Sequence, residues 1–412
     1  MTFRRLPRLL ALAFVLGLGL RAGYSSWAIL SGKSLPSNDE YETIARRLVE
    51  HGRFEGAGGK PTAAREPGFP LFIAALYAVF GFKPLVVTLA LSLLGALTAL
   101  LLREVSGRVF GEDAGDWTFL LALFYPYFVF YTGYFYRETL LCFLLAAALL
   151  ALSLLEEKPT TRRAAWAGGL IGVAAISFSS LLPSCVLLAL YAAWRVRRRA
   201  AKGALLLMLL AALPSALWTA RNLAVFGRFI PGSTIGGFNF YTYLIVPDDA
   251  RGLPRENEIK YADPDWRRID SMGYLIEDDG SQQAAYFEAG KRWVAAHPRE
   301  YALRTVRQVV KMWRPYPYKR DYQHPYWLVV LASLLSDGWL IPLGFYGLWR
   351  FRAAGPETRY FALLVFSATA VYALLSAIVR YRLPLMVPLL ACGGAALAAY
   401  PPTRRVLRAL KA

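Results

Sequence analysis

Residues 38–54, NDEYETIARRLVEHGRF, and residues 64–70, AREPGFP, belong to one polar stretch that separates two strongly apolar segments near the start of the chain. The stretch begins with two adjacent carboxyl residues, Asp39 and Glu40. An amphipathic run with helical spacing follows, and then an Arg-Glu-Pro-Gly turn. Such side chains seldom occur together beside a bilayer. The stretch therefore predicts a surface loop that carries chemistry, around which the rest of the chain is arranged.

The composition predicts a polytopic membrane protein. Of the 412 residues, 56% are hydrophobic, and the mean hydropathy is +0.36. Apolar runs of about 17 to 25 residues recur, and each can cross a bilayer as a helix. The formal net charge of +19 reflects lysine and arginine beside the spans rather than a nucleic-acid partner. All three cysteines lie in apolar runs and the three histidines lack metal-ligand spacing, so neither a disulfide framework nor a histidine metal site is indicated.

Ten membrane-spanning helices are expected, with both termini in the cytoplasm. Arginines precede the apolar run Leu9–Leu20, which predicts an uncleaved first span, with a signal peptide as the alternative. Pro70–Phe82 is apolar, but about 13 residues are too few to cross, so this segment predicts a helix at the outer surface. That choice keeps the RVRRRAAK cluster at 195–202 inside, as the positive-inside rule requires. The other spans are predicted at about 85–102, 117–135, 139–155, 164–180, 182–194, 203–220, 326–349, 359–379 and 383–400.

The chain divides into three parts. Residues 1–221 form the first module of spans and include the outer loop 31–84, and residues 326–412 form the C-terminal spans. Between them, residues 222–325 form a long polar insertion outside the cytoplasm, since long loops cross whatever their charge. The insertion has one clear helical pattern, Gln282–Trp313, and ends in a belt of aromatic residues where the chain re-enters the membrane interface.

Three carboxyl residues are candidates for proton transfer. Asp39 is predicted as a general base that takes a proton from a hydroxyl, with Glu40 beside it. The alternative is that Asp39 is a helix N-cap, with Glu42 at the third helical position. Glu138 lies at the outer mouth of a predicted span, where ionisable residues are costly and usually functional. The alternative there is that Arg137 and Glu138 only mark the edge of the membrane.

Arginines gather at the outer ends of the predicted spans, where no cationic bias is expected. Converging guanidinium groups suit a phosphate, which they bind in bidentate fashion, and snorkelling to lipid headgroups is the alternative for each. The aromatic stripe at 124–136 lies among them. It could line a lipid groove or stack on a sugar, or it could serve packing and interfacial anchoring. The candidate phosphate-binding residues are Arg65, Arg137, Arg221, Arg380 and Arg382.

Five segments in order resemble the GT-C glycosyltransferases of the glycosyltransferase family 39 type. The likeness is specifically to bacterial members related to the dolichyl-phosphate-mannose protein mannosyltransferases and to the lipid A aminoarabinose transferase. The resemblance covers nearly the whole chain and is weakest at about 240–280. Glu66 departs from the pattern, because relatives more often have a second proline there. The segments are 39–41 with IARRLVEHGRF at 44–54, then 65–72, 136–140, 221–237 and 380–384.

The resemblance implies an all-α GT-C fold in the bacterial inner membrane, with first-loop helices on the periplasmic side. It implies transfer of a hexosyl or pentosyl group, with inversion, from a polyprenyl-phosphate donor to an extracytoplasmic protein, lipid or glycan. Asp39 is then the base, Glu40 or Glu138 assists, and Arg65 is the nearest match to a residue that stabilises the leaving phosphate. Some relatives use a divalent metal, whose ligands are not recognisable here. The alternative function is a transporter or flippase of lipid-linked sugars, a class that usually shows an internal repeat, which this chain lacks.

Overall fold

The computed structural model of the chain describes residues 7–33, 40–316 and 326–411. Within these residues it contains nineteen α-helices, short 3₁₀ turns and an isolated backbone pairing of Glu55 with Pro61. The predicted all-α architecture is therefore confirmed. The helices are α1 (Arg8–Leu30), α2 (Tyr41–His51), α3 (Gly68–Phe80), α4 (Pro84–Phe110), α5 (Glu112–Phe124), α6 (Pro126–Phe130), α7 (Glu138–Glu157), α8 (Thr161–Ser177), α9 (Leu182–Val196), α10 (Ala201–Phe226), α11 (Gly236–Ile245), α12 (Pro254–Ala262), α13 (Pro264–Asp270), α14 (Ser281–Ala296), α15 (Pro298–Trp313), α16 (Tyr326–Arg350), α17 (Pro356–Leu375), α18 (Leu383–Ala399) and α19 (Pro401–Lys411).

Eight helices of the described residues are long and apolar enough to cross a bilayer: α1, α4, α7, α9, α10, α16, α17 and α18, where α9 and α18 include the 3₁₀ turn before each. The chain is therefore a multi-pass membrane protein. The other two predicted spans correspond to shorter helices. The segment at 117–135 becomes α5 and α6, because Pro126 lacks a backbone N–H and holds Tyr125 extended, with φ of −64° and ψ of 117°. The segment at 164–180 becomes α8, which has 17 residues.

Glycines allow several of these helices to approach closely. A Cβ atom at Gly168 of α8 would collide with the backbone oxygen of Leu207 in α10. A Cβ atom at Gly347 of α16 would likewise collide with the backbone oxygen of Cys392 in α18. Because small residues let membrane helices pack backbone against backbone, α8 stays against α10 and α16 against α18.

Helices α7 and α18 form the centre of the bundle. Their apolar segments are 89% and 83% buried by the rest of the protein, whereas those of α1 and α10 are 22% buried. A helix that protein surrounds on nearly all sides has ends with well-defined positions. The segment before α7 and the Val379–Arg382 turn before α18 are therefore held in place at the middle of one face of the bundle.

The insertion contains α11 to α15. The prediction of one helix at Gln282–Trp313 is wrong, because two helices, α14 and α15, meet at His297 and Pro298. Pro298 occupies the first helical position of α15, where a fixed φ and a missing N–H suit the start of a helix and not its interior. The insertion also has its own small core, formed by Tyr241, Trp266, Ile269, Tyr286 and Ala289.

Candidate active site

The first loop is built from two packed helices, α2 and α3. Helix α3 has 13 residues, too few to cross a bilayer, as predicted. Glu42 of α2 accepts hydrogen bonds from Tyr77 of α3 and from Arg46, both at 2.8 Å. Tyr41 packs edge-on against Phe69 with 5.2 Å between the ring centroids. These contacts set the position of the residues that flank α2.

Glu40 precedes α2 in an unusual conformation, and Asp39 lies outside the described residues. The φ of Glu40 is 59°, in the left-handed region that residues other than glycine rarely adopt. Its Oε1 accepts a hydrogen bond from the Tyr274 hydroxyl of the insertion at 3.3 Å. Its Oε2 is buried and has no hydrogen-bond partner among the described residues. Strain and an unsatisfied buried oxygen at one side chain are typical of a functional position.

Glu66 joins four segments of the chain. Its Oε2 forms an ion pair with Arg137 at 2.7 Å. Its Oε1 accepts a hydrogen bond from the backbone N–H of Ser179 at 2.9 Å and one from the Ser233 hydroxyl at 3.3 Å. The first loop, the α8–α9 turn, the insertion and the start of α7 therefore meet at this carboxylate. Burial alone would raise the pKa of Glu66, but Arg137 and the hydrogen bonds from Ser179 outweigh burial and lower the pKa.

Arg137 is held on a second side by an aromatic ring. Its Cζ lies 3.9 Å from the ring centroid of Phe178, within cation–π distance. Burial alone would lower the pKa of Arg137, but Tyr41, Glu66 and other neighbours raise it above the usual value. The guanidinium is therefore a permanent cation in an enclosed position.

Glu138 and Arg380 form a second ion pair directly beside the first. The distance from Arg380 Nε to Glu138 Oε1 is 3.0 Å, and Arg380 Cζ lies 4.2 Å from the ring centroid of Tyr136. Glu138 is 2% exposed, and its Oε2 has no hydrogen-bond partner among the described residues. The structure thus brings together three predicted site residues, Arg137, Glu138 and Arg380, from segments far apart in the chain.

Arg65 lies in the same region. It is 9% exposed, and its Cζ is 5.7 Å from the ring centroid of Tyr41. Burial and Glu40 raise the pKa of Tyr274, and the charge of Arg65 acts on the same phenol in the opposite direction. Arg65 therefore lies beside Tyr41, and its charge acts on Tyr274, the phenol that donates to Glu40.

Arg221 ties the end of α10 to the first loop. Its guanidinium donates hydrogen bonds to the backbone oxygens of Thr62 and Phe54 at 2.9 and 3.0 Å. It also lies 5.1 Å from the ring of Trp218. Arg221 therefore holds the backbone just before Arg65, and its guanidinium is occupied by these contacts.

Arg382 is fully buried and forms an ion pair with Asp337 of α16. It also donates hydrogen bonds to the backbone oxygens of Met312 and Arg314, at the end of α15. Arg382 therefore anchors the last helix of the insertion to the turn that carries Arg380.

Polar residues that the sequence analysis did not single out complete the site: Asp337, Ser179, Ser233 and Tyr274. Asp337 had a usable signal, because an acid within the apolar run of a span is rare and usually functional. Ser179 and Tyr274 reach the site through folding of distant segments, and the local sequence around them has no comparable signal, whereas Ser233 lies in the resemblance segment 221–237.

Residues 60–218, which run from the first loop to α10, match a family model described as dolichyl-phosphate-mannose-protein mannosyltransferase. The matched segment contains Arg65, Glu66, Arg137 and Glu138. A comparison with curated protein sequences gives no match.

Solved structures match nearly the whole chain. ArnT from Cupriavidus metallidurans, bound to undecaprenyl phosphate, aligns over 97% of this chain and 61% of its own with a TM-score of 0.52 and 15% identity. AglB from Archaeoglobus fulgidus, with an inhibitory peptide and a dolichol-phosphate, aligns over 97% and 51% with a TM-score of 0.52 and 16% identity. The oligosaccharyltransferase of Archaeoglobus fulgidus, in complex with zinc and sulfate, aligns over 98% and 53% with a TM-score of 0.54 and 14% identity. This chain therefore has the GT-C fold. It spans between 51% and 61% of the length of these three proteins.

The GT-C site offers no metal-binding set among the described residues. No three His, Cys, Asp or Glu side chains of residues 7–33, 40–316 and 326–411 gather closely enough to hold a metal ion. The two carboxylates nearest the centre, Glu66 and Glu138, are each engaged by an arginine. The described residues therefore hold no ligand set for the divalent metal that the resemblance allows.

An apolar groove of about 440 Å³ lies between α1, α5–α6 and α16 of the GT-C bundle. Tyr127 forms part of its wall, and the Tyr127 hydroxyl is 2.9 Å from the Ser333 hydroxyl. Arg382 Cζ lies 5.5 Å from the Tyr127 ring centroid. The groove therefore borders the turn that carries Arg380 and Arg382. It is lined by Leu20, Tyr24, Phe124, Pro126, Tyr127, Val129, Phe130, Leu328, Val329, Ala332 and Ser333.

Proposed function

We propose that the protein is an integral-membrane inverting glycosyltransferase that moves a hexosyl or pentosyl group from a polyprenyl-phosphate donor to an acceptor outside the cytoplasm. The observation that carries the proposal is the pair of adjacent ion pairs at the start of α7, Arg137 with Glu66 and Glu138 with Arg380. They place two cations together at the start of α7, and Arg382, two residues from Arg380, lies against the Tyr127 wall of the apolar groove. ArnT bound to undecaprenyl phosphate and AglB with a dolichol-phosphate share the fold, which supports a lipid phosphate as the ligand here.

Arg65, Arg137 and Arg380 bind the phosphate of the donor in this proposal. Negative charge grows on the phosphate as the sugar leaves, and cations that are already in place stabilise that charge without reorganising. Guanidinium groups suit this task because they bind phosphate oxygens in bidentate fashion. Arg221 and Arg382 act indirectly, through the backbone segments that they hold next to Arg65 and Arg380.

Asp39 acts as the general base. The acceptor hydroxyl attacks the anomeric carbon from the face opposite the phosphate and forms the new C–O bond. The bond from the anomeric carbon to the phosphate oxygen breaks, and its electron pair leaves with the polyprenyl phosphate. The hydroxyl proton passes to the Asp39 carboxylate. Glu40, next in the chain and fixed by Tyr274, orients the acceptor, and Glu138 orients Arg380.

The apolar groove takes the first part of the polyprenyl chain. Its lining is almost entirely apolar, and its Tyr127 wall lies next to Arg382. A lipid with a charged head and a hydrocarbon tail needs such a boundary between an apolar groove and a cationic site. The acceptor then enters from the side of the insertion, where Tyr274 contacts Glu40. We place this side at the outer face of the bacterial inner membrane, because the basic loops then lie in the cytoplasm.

The decisive experiment replaces Asp39 by Asn in the full-length protein in proteoliposomes. We expect transfer from a polyprenyl-phosphate sugar, followed as release of polyprenyl phosphate, to fall by a factor of about 10² to 10⁴, because the base is lost while the shape is kept. The matched control is Asp249→Asn, an exposed residue of the insertion, which should keep full activity.

Near-normal turnover of Asp39→Asn with normal thermal unfolding would remove Asp39 as the base. Translocation of an intact lipid-linked sugar across the membrane, without release of polyprenyl phosphate, would instead identify a flippase. Both measurements are made in the same proteoliposomes, so their results can be compared directly.

A further inference from the structure

Helix α15 carries a row of three apolar residues on its exposed side. Leu303, Val306 and Val310 follow one another at spacings of three and four residues, which places them on one helix face. They are 51%, 63% and 68% exposed. In a helix that faces water, the exposed side is polar and the apolar side is buried.

The buried side of α15 is mainly polar, with Met312 as its apolar member. Lys311 is 5% exposed and donates a hydrogen bond to Asp248 at 2.9 Å. Arg304 donates one to the backbone oxygen of Tyr243 at 2.8 Å, and Gln308 is buried. The polarity of α15 is thus largely the reverse of that of a water-soluble helix, and its apolar outer face is the one that hydrocarbon requires.

The position of α15 agrees with its polarity. Near its start, the Tyr301 hydroxyl donates to the backbone oxygen of Leu374, at the end of the span α17. Twelve residues later, Trp313 packs edge-on against Phe345 of the span α16, with 4.8 Å between ring centroids. The helix therefore descends alongside two spans instead of lying on top of the insertion. Leu374 is itself 47% exposed, so the apolar face of α15 continues the lipid-facing surface of α17.

We infer that the acyl chains of the outer leaflet cover the face formed by Leu303, Val306 and Val310, so that α15 is embedded in the bilayer. The inverted polarity and the continuity with α17 both favour hydrocarbon over water. Arg299 and Arg307, which are exposed, extend their long side chains from this helix to the phosphates of the headgroups. The insertion 222–325 is accordingly anchored in the membrane by its last helix. Arg382 binds backbone oxygens at the end of α15. The membrane-embedded helix is therefore connected to the turn that carries Arg380.

The test places a nitroxide spin label at Val306→Cys and, separately, at Val310→Cys in the full-length protein in lipid vesicles. The three native cysteines are buried, so the labels go to the introduced sites. We expect molecular oxygen, which concentrates in hydrocarbon, to relax both labels several-fold more than a water-soluble nickel chelate does. Ser271→Cys, an exposed position after α13, is the control and should show the opposite order.

Strong relaxation by the nickel chelate at positions 306 and 310, equal to that at position 271, would show a water-facing helix and overturn the inference. Exclusion of both reagents from positions 306 and 310 would show that another protein surface covers the face, which also overturns it. Both residues are exposed in the chain, so their replacement leaves the packing intact, and unchanged thermal unfolding in detergent verifies this. The readout is spectroscopic and does not depend on any transferase activity.

Discussion

Replacement of Glu66 by Gln is the perturbation that probes the site most directly. Glutamine keeps the shape and an oxygen that accepts the Ser179 N–H. It turns the negative oxygen that faces Arg137 into a neutral group, so the arginine stays buried without its partner. The Glu66 and Arg137 side chains are only 4% and 10% exposed, and hence water screens the lost attraction little.

The expected loss of unfolding free energy is about 3 kcal/mol, the lower part of the range for a broken buried ion pair. The lower part applies because the hydrogen bond from Ser179 survives. Arg137 keeps its contact with the Phe178 ring, which also limits the loss. Transfer activity should fall as well, since Arg137 loses the carboxylate that fixes its direction.

Reversible unfolding in mixed micelles measures this change, and Glu288→Gln is the matched control. Glu288 forms an ion pair with Lys291 at 2.7 Å, the same distance as in the Glu66 pair, but both of its side chains are exposed. We expect no measurable effect from the control. A loss of less than about 1 kcal/mol of unfolding free energy for Glu66→Gln would equal the contribution of a solvent-exposed ion pair. That result would refute the argument that burial makes the Glu66–Arg137 pair strong.

The pH dependence of the stability difference between the native protein and Glu66→Gln is a second check on the strength of the Glu66–Arg137 pair. The pKa of Glu66 is lower in the folded protein than its ordinary value of 4.5, so the folded state binds fewer protons than the unfolded state. The stabilisation by Glu66 is therefore fully present above pH 4.5 and is lost as the pH falls below that value towards the folded pKa. The gap in stability between the native protein and Glu66→Gln should be constant from pH 7 to about pH 5.5 and should shrink below about pH 4.5.

Two further predictions concern the arginines and the topology. Arg380→Gln should lower kcat by roughly 10²-fold, because one cation at the leaving phosphate is lost. The control Arg255→Gln, at an exposed position of the insertion, should leave kcat unchanged. Equal kcat values for the two variants in a polyprenyl-phosphate release assay would contradict a role of Arg380 at the phosphate. Cysteines introduced at Lys60 and at Lys202 should lie on opposite sides of the membrane. An impermeant maleimide should therefore label position 60 and not position 202 in intact cells. Labelling of both positions would overturn the assignment of the outer face.

The sequence predicts the helices better than it predicts the partners of the charged residues. Hydropathy and length suffice for the spans, because an apolar run in a bilayer has few alternatives to a helix. The exceptions have local causes, such as Pro126, which separates α6 from α5, and Pro298, which begins α15. Proline commonly marks a helix boundary, because it lacks the N–H that would continue the hydrogen bonds of a preceding helix.

Charge pairing depends on tertiary structure and could not be predicted in this way. Glu66 stands where the family that the chain resembles more often has a second proline. In the structure it lies 71 positions from its partner Arg137 and fixes that arginine in place. Glu138 similarly finds Arg380 on the far side of the insertion. Spacing along the chain predicts where charges gather, but which carboxylate neutralises which arginine is decided by the packing of α7 and α18.

Arg137, Arg380 and Arg382 share one arrangement of neighbours. This arrangement gives residues of the aromatic stripe at 124–136 a role beyond lipid contact and packing. Arg137, Arg380 and Arg382 each have a carboxylate partner from another segment. Each also has an aromatic ring within 3.9 to 5.5 Å of its Cζ. The carboxylate offsets the cost of burying the cation, and the ring sets the direction of the guanidinium plane. Since two of the three rings, Tyr127 and Tyr136, belong to the stripe, we infer that these two tyrosines orient the cations before any substrate arrives. Orientation in advance is what makes a fixed charge effective at a leaving phosphate.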